Sequence, residues 1–145
     1  MRLEIVIQHK ESGVETVRPD DTVESLVQKL NEKRIGAAVV SADGQTVQGI
    51  VSERDVVRHL ASGGVDILQG PVSAIMTGSV QCARPSATTR DLMSLMTDSR
   101  IRHVPVVDDE DVMIGIVSIG DVVKSRLGEL EEERDALMQY VTIGG

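Results

Sequence analysis

The chain has 145 residues, 41% of them hydrophobic, a formal net charge of −8 and one aromatic side chain, Tyr140. That length suits a single compact unit, and the charge argues against nucleic acid, whose binding rests on Lys and Arg at phosphates and on stacking aromatics. No apolar run approaches the roughly 18–20 residues that cross a bilayer, no signal-peptide pattern opens the chain, and one cysteine, Cys82, fits a reducing compartment, so cytoplasm is the expected location.

Residues 1–13 leave two readings open: Leu3, Ile5 and Ile7 alternate as a strand would, whereas Leu3, Val6 and Ile7 suit a helix face. Val14 to Val17 predicts a short strand stopped by Pro19-Asp20-Asp21. Thr22 then caps a helix with Val23, Leu26, Val27 and Leu30 at helical spacing, ending near Arg34-Ile35-Gly36. Ala37 to Val40 predicts a strand, Ser41 to Gly44 a turn, Val47 to Val51 a further strand, and Ser52 the start of a helix to about Ala61. Gly63-Gly64 stops that helix, and Val65 to Ala74 connects to a second round of the same order. There Val80-Gln81 predicts a short strand, Thr88 to Arg100 a helix, and Val104 to Val107 and Val112 to Val117 strands. A final helix runs from near Ser118 to about Tyr140. The expected fold is α/β (α+β), two β-α-β-β-α half-domains sharing a core. The division by residues is 1–64 with the N-terminal segment, a connector 65–75, a second half 76–128 and a helical extension 129–145.

The second round is a duplication. Gly49-Ile-Val-Ser-Glu-Arg-Asp-Val-Val57 returns as Gly115-Ile-Val-Ser-Ile-Gly-Asp-Val-Val123, 66 residues on (115 − 49). Thr22, Leu26, Leu30, Arg34 and Ile35 match Thr88, Leu92, Met96, Arg100 and Ile101 at the same shift. Two copies of so long a period make a duplicated small domain rather than a solenoid.

Each copy sets a Ser and an Asp three residues apart at a strand-to-helix elbow: Ser52 with Asp55, Ser118 with Asp121. One reading is a capping box, the Ser oxygen accepting a first-turn N–H while the acid reaches back. The other is a ligand site, because a helix N-terminus attracts phosphate and a carboxylate can grip both hydroxyls of a ribose. The readings are compatible for Ser and compete for Asp. The copies also differ: Arg54 stands where the second has Gly120, and Arg102-His103 stand where the first has Gly36-Ala37. Arg54, Arg102 and His103 are therefore either solvated polar residues or phosphate contacts. Arg34 and Arg100 sit at matching helix ends, favourable to the C-terminal dipole.

Gly-Ile-Val-Ser-x-x-Asp after an apolar strand resembles the cystathionine-β-synthase (CBS) domain, as do Glu32-Lys-Arg-Ile-Gly-Ala-Ala-Val-Val40 and Arg100-Ile-Arg-His-Val-Pro-Val-Val-Asp108. The likeness covers about residues 14–60 and 76–126 and is closest to small proteins made of one CBS pair. It implies two halves packed by their sheets about a pseudo-two-fold axis, with two clefts for AMP, ADP, ATP, S-adenosylmethionine or NAD(H). It further implies that Asp55 and Asp121 hold ribose hydroxyls and that Ser52 and Ser118 contact ribose or α-phosphate. Backbone groups at Gly36-Ala37-Ala38 and Val104-Pro105 would read the adenine edge. A homodimer and a separate regulated protein are implied as partners, with no cofactor required for chemistry.

The rest of the sequence points to no catalysis. His9, His59 and His103 lie far apart without partners at ligand spacing, so no metal is expected. Neither a Ser-His-Asp set nor a phosphate loop is present. Cys82 is expected at least half-buried, and Met93 and Met96 are expected in the core with Leu92 and Leu95. Val123, Leu127, Leu130, Leu137 and Val141 form a near-heptad stripe on the last helix, which either packs back on its own half or docks a second subunit.

Overall fold

The computed structural model describes residues 1–10 and 13–144. The opening ambiguity resolves as a helix, α1 (Leu3–Gln8). The first half then follows as β1 (Thr16–Val17), α2 (Val23–Lys33), β2 (Ala37–Val40), β3 (Gly49–Ser52) and α3 (Glu53–Gly63). Two 3₁₀ turns, Val65–Gln69 and Val72–Ala74, lead to α4 (Thr89–Ser99), β4 (His103–Val107), β5 (Met113–Ser118) and α5 (Ile119–Gly144). In the first sheet β2 is central, parallel to β1 and antiparallel to β3, with Ala37 opposite Ser52. In the second, β4 and β5 pair antiparallel with His103 opposite Ser118. The registers correspond at the 66-residue shift, so both elbows leave their sheets at the same place.

Local chemistry accounts for the boundaries. Thr22 accepts the Ser25 N–H at 3.1 Å to cap α2, and Thr88 with Asp91 forms a full capping box on α4. Arg34 and Arg100 are the C-caps of α2 and α4, both left-handed at φ 54°. Gly44, at φ 77°, closes the turn after β2, where Asp43 accepts the N–H groups of Gln45 and Thr46.

Several expectations are corrected. Val80-Gln81 is not a strand: the second sheet's counterpart of β1 shrinks to one bridge, Ala83 with Val106. The second half thus keeps the order of the first, with its leading strand reduced to that bridge. Each half also has a core cluster of its own. One cluster joins Val17, Leu26, Val51 and Val56, and another joins Leu92, Met96, Val104 and Val117. Cys82 is exposed, and Met93 is 43% exposed while Met96 is buried. α5 outruns Tyr140, and residues 131–143 are exposed throughout, so the stripe does not fold back onto its own half.

The two halves are tied by exchanged arms. Leu3 and Val6 of α1 are buried in the core of the second half, and Val72 and Ile75 of the connector in the core of the first. The docking bonds correspond. The Leu3 N–H donates to the Ala87 carbonyl at 2.8 Å, and Val72 donates to Asp21 at 2.8 Å. The Thr89 N–H reaches the Met1 carbonyl at 2.8 Å, and Val23 reaches Gly70 at 3.0 Å. Each copy thus sends its leading segment onto the other. Ile7 lies over Gly115 as Met76 lies over Gly49, in both cases where a Cβ would clash at under 3 Å.

Candidate functional site

Strand pairing sets up each elbow. Ser52 ends β3 in an extended conformation and caps α3; its side chain accepts the Asp55 N–H at 3.4 Å. The Asp55 Oδ2 accepts the Ser52 N–H at 2.9 Å and the Ser52 hydroxyl at 3.1 Å. In the second copy the Ser118 N–H donates to Asp121 Oδ2 at 2.8 Å, and the Asp121 N–H to Ser118 Oγ at 3.1 Å. The first helical N–H is also taken: Glu53 donates to the Gly36 carbonyl at 3.0 Å and Ile119 to that of Arg102 at 2.8 Å. The capping box is therefore real in both copies. Both aspartates are partly buried, and each uses only Oδ2, leaving Oδ1 without a protein donor among the described residues. The N–H groups of Arg54 and Gly120 are the first-turn donors left over.

The strand residues behave differently from one another. Ala38 and Val104 are fully buried members of the two cores. Pro105 is buried, has no N–H, and its carbonyl already accepts from Ala83 at 2.9 Å, so it offers a base edge nothing through that bond. Only the strand starts, Gly36-Ala37 and Arg102-His103, lie beside the elbows. Arg54 and Arg102 are exposed.

His103 joins the two elbows. Its ring packs over Gly36, with Cε1 at 3.4 Å from where a Cβ would stand, and Glu53 Cδ lies 3.9 Å from that same point. Burial, and after it the Lys10 ammonium, hold the imidazole below its usual 6.5, against the pull of Asp121 and Glu53. The ring is therefore neutral at pH 7. A Cβ at position 36 would stand in ordinary van der Waals contact with the ring.

Lys10 is the residue that sequence reasoning missed. Its Nζ donates to Asp121 Oδ2 at 2.9 Å and to the Ile116 carbonyl at 2.7 Å. The pair is three-quarters buried, with side-chain exposures of 25% and 24%. For Asp121 burial acts to raise the pKa, but the Ser118 N–H and the Lys10 ammonium together lower it below 3.8. Lys10, but no residue of the elbow itself, also lines a cleft of about 220 Å³ formed with Ile7, Val14, Ile114, Gly115 and Ile116. The first elbow has no such partner: among the described residues Asp55 bonds only within its own elbow and the first turns of α3. A usable signal did exist: Leu3-x-x-Val6-Ile7 matches Val72-x-x-Ile75-Met76 at a 69-residue shift (72 − 3). That match draws residues 3–7, though not Lys10 itself, into the duplication.

Among the described residues no cluster of His, Cys, Asp and Glu could hold a metal, and no helix is long and apolar enough to cross a membrane.

Comparison with known proteins agrees with this architecture. The family described as CBS domain matches residues 9–62 and 72–128. A mitochondrial CBS domain-containing protein of Arabidopsis thaliana is 40% identical over 129 residues, covering 86% of this chain and 62% of the relative. The chain thus spans less than two thirds of that relative's length. A solved CBS-domain containing protein from Agrobacterium tumefaciens is 42% identical with a TM-score of 0.81, covering 87% of this chain and 99% of that one. A CBS domain protein of Pyrobaculum aerophilum, solved in complex with AMP, shares the fold at TM-score 0.74 and 24% identity, covering 83% and 89% of the two chains.

Proposed function

The chain belongs to the CBS-domain family, and on that premise we propose that it is a regulatory module binding adenosine ligands at its two elbows. Asp55 and Asp121 accept the ribose hydroxyls through the carboxylate oxygen left over from the capping box. Ser52 and Ser118 add their hydroxyls to that shell, and the leftover N–H groups of Arg54 and Gly120 face the 5′ side. Arg54, Arg102 and His103 supply the phosphate end, while Gly36-Ala37 and the start of β4 at His103 border the base. The ligands in question are AMP, ADP, ATP, NAD(H) or S-adenosylmethionine. Binding shifts a population between two arrangements of the halves, which a separate protein reads as changed affinity. The module does not itself turn the ligand over.

The observation carrying this reading is the twin elbow itself. The same partly buried carboxylate, with one oxygen to spare, recurs at matching sites beside the contact between Gly36 and His103. The test is a melting series with AMP, ATP, NADH and S-adenosylmethionine. A ligand at 100 times its Kd adds about 2.7 kcal/mol, and Asp55→Asn with Asp121→Asn together should abolish the shift. No shift with any of them would refute the reading.

A second reading, a ligand-free assembly module, is favoured by one feature. α5 exposes Val123, Leu127, Leu130, Leu137 and Val141, at 44–69% each. A lone projecting helix of this kind is marginal by itself, and a homodimer through this stripe would cover it. Dimerisation is compatible with either reading; it becomes the whole function only if the melting series is flat.

A further inference from the structure

We propose that the projecting part of α5 docks into the groove between α2 and α3 of a second copy of this chain, reciprocally, so that each copy gives a helix and receives one. The inference rests on the dimer reading above and deepens it by naming the surface that receives the stripe. In the first half α2 and α3 leave between them a groove of about 480 Å³, formed on Leu30, Ile35 and Val56 and flanked by Val27 and Val57. Val57 stands in the middle of α3 and is nonetheless 64% exposed. α5 carries a surface of matching character. Leu127, Leu130, Arg134, Leu137 and Val141 recur at alternating three- and four-residue steps, the spacing of a helix that buries one seam against another element. Residues 131–143 are exposed throughout, so nothing within the chain covers that seam. Bringing seam and groove together removes apolar surface from water on both sides.

Charge selects the groove over a second α5. From Glu129 to Asp135 the helix has five carboxylates against one guanidinium, so two such segments side by side would repel. The groove offers the opposite sign at its rim. Arg34, the C-cap of α2, lines it, and Arg58 follows Val57 on α3. Both are exposed, and neither has an ion-pair partner among the described residues. Glu131 and Glu133 flank the α5 seam on its two sides and are equally unpaired there. Inside the groove the sign reverses once, at Glu53, beside the polar Asn31. The seam reverses once too, at Arg134, whose only ion pair is an exposed contact with its neighbour Asp135 at 3.4 Å. A guanidinium in an apolar seam is costly unless it meets a partner, and this groove supplies one. With a two-fold axis between the copies, the two dockings close into a dimer instead of propagating.

Sedimentation and disulfide trapping test this on the full chain. Val57→Glu, at an exposed position outside both elbows, should raise the dimer dissociation constant about tenfold or more by setting a carboxylate under the apolar seam. Arg58→Glu should raise it about two- to fivefold, the worth of an exposed ion pair, and adding Glu131→Lys with Glu133→Lys should recover the loss. For trapping, in a Cys82→Ser background, a chain with Val57→Cys is mixed with one carrying Leu130→Cys, Leu137→Cys or Val141→Cys and oxidised with copper–phenanthroline. At least one mixture should yield a linked dimer of one chain of each kind, and no α5 variant should link to itself. Linking only between like α5 variants, or a dimer indifferent to Val57→Glu, would overturn the groove as the receiving surface and leave the dimer standing. A wild type that is monomeric at all concentrations would overturn the dimer reading, and the docking with it.

Discussion

At the scale of single residues, function and stability meet in the triangle of Lys10, His103 and Asp121. The Asp121 carboxyl is pushed up by burial and pulled down further by Ser118 and Lys10, so its folded pKa lies below 3.8. A depressed carboxyl contributes stability that is present above the unfolded value and is lost as pH falls through the folded one. Lys10→Met should therefore raise the Asp121 pKa in a carboxyl NMR titration and bring acid unfolding to higher pH; an unmoved Asp121 would contradict the pairing. His103 behaves in the same sense for a different reason: burial first, then Lys10, favour its neutral form. Its contribution is complete above pH 6.5 and declines as pH drops from there toward the lower folded value. His103→Gln should flatten the melting temperature between about pH 7 and 5.5, relative to wild type. Phosphate bound beside the ring would stabilise imidazolium, so AMP should raise the His103 pKa and be taken up together with a proton.

At the scale of elements, the exchanged arms and the elbows depend on backbone close approach. A Cβ on Gly115 would meet Ile7 at 2.8, 2.9 and 3.1 Å, whereas one on Gly120 would meet only Ser118 Oγ at 3.5 Å. Gly115→Ala should cost about 1–3 kcal/mol through overpacking, and Gly120→Ala, in the first turn of a helix, should be neutral or slightly stabilising. Urea unfolding of the two variants checks the contrast, and equal effects would mean that Ile7 yields easily. Leu3→Ala removes a fully buried anchor and should cost about 2–5 kcal/mol. How much was legible in the sequence follows the same line. Helices with a capping residue and a 3.6 period, such as α2 and α4, were readable to within a residue because local chemistry decides them. The arm was not, because Leu3, Val6 and Ile7 acquire their meaning only from a groove in the second half, over 80 residues away. Val80-Gln81 failed for the opposite reason: apolar content suggested a strand, but the pairing edge of β4 is met by Ala83. At the site, the Ser–Asp elbows were visible as a motif, whereas Lys10 and the loss of Pro105's carbonyl to Ala83 are products of tertiary contact.

At the scale of the whole molecule, each half's core cluster is completed by a segment that precedes the other half. α5, 26 residues long and so about 39 Å, reaches beyond both clusters with an apolar face. Leu130→Glu with Leu137→Glu should convert a dimer to a monomer in sedimentation experiments; a wild type that is monomeric at all concentrations would remove α5 as a docking element. The central claim, that a carboxylate in each elbow receives a ribose diol, is tested most directly by comparing AMP with 2′,3′-dideoxy-AMP by calorimetry. The dideoxy analogue should bind at least about tenfold more weakly to the wild type, since hydrogen bonds to a charged acceptor contribute about 1.5–3 kcal/mol. The variant carrying both Asp55→Asn and Asp121→Asn should bind neither nucleotide measurably. Equal binding of the two nucleotides by the wild type would contradict the account.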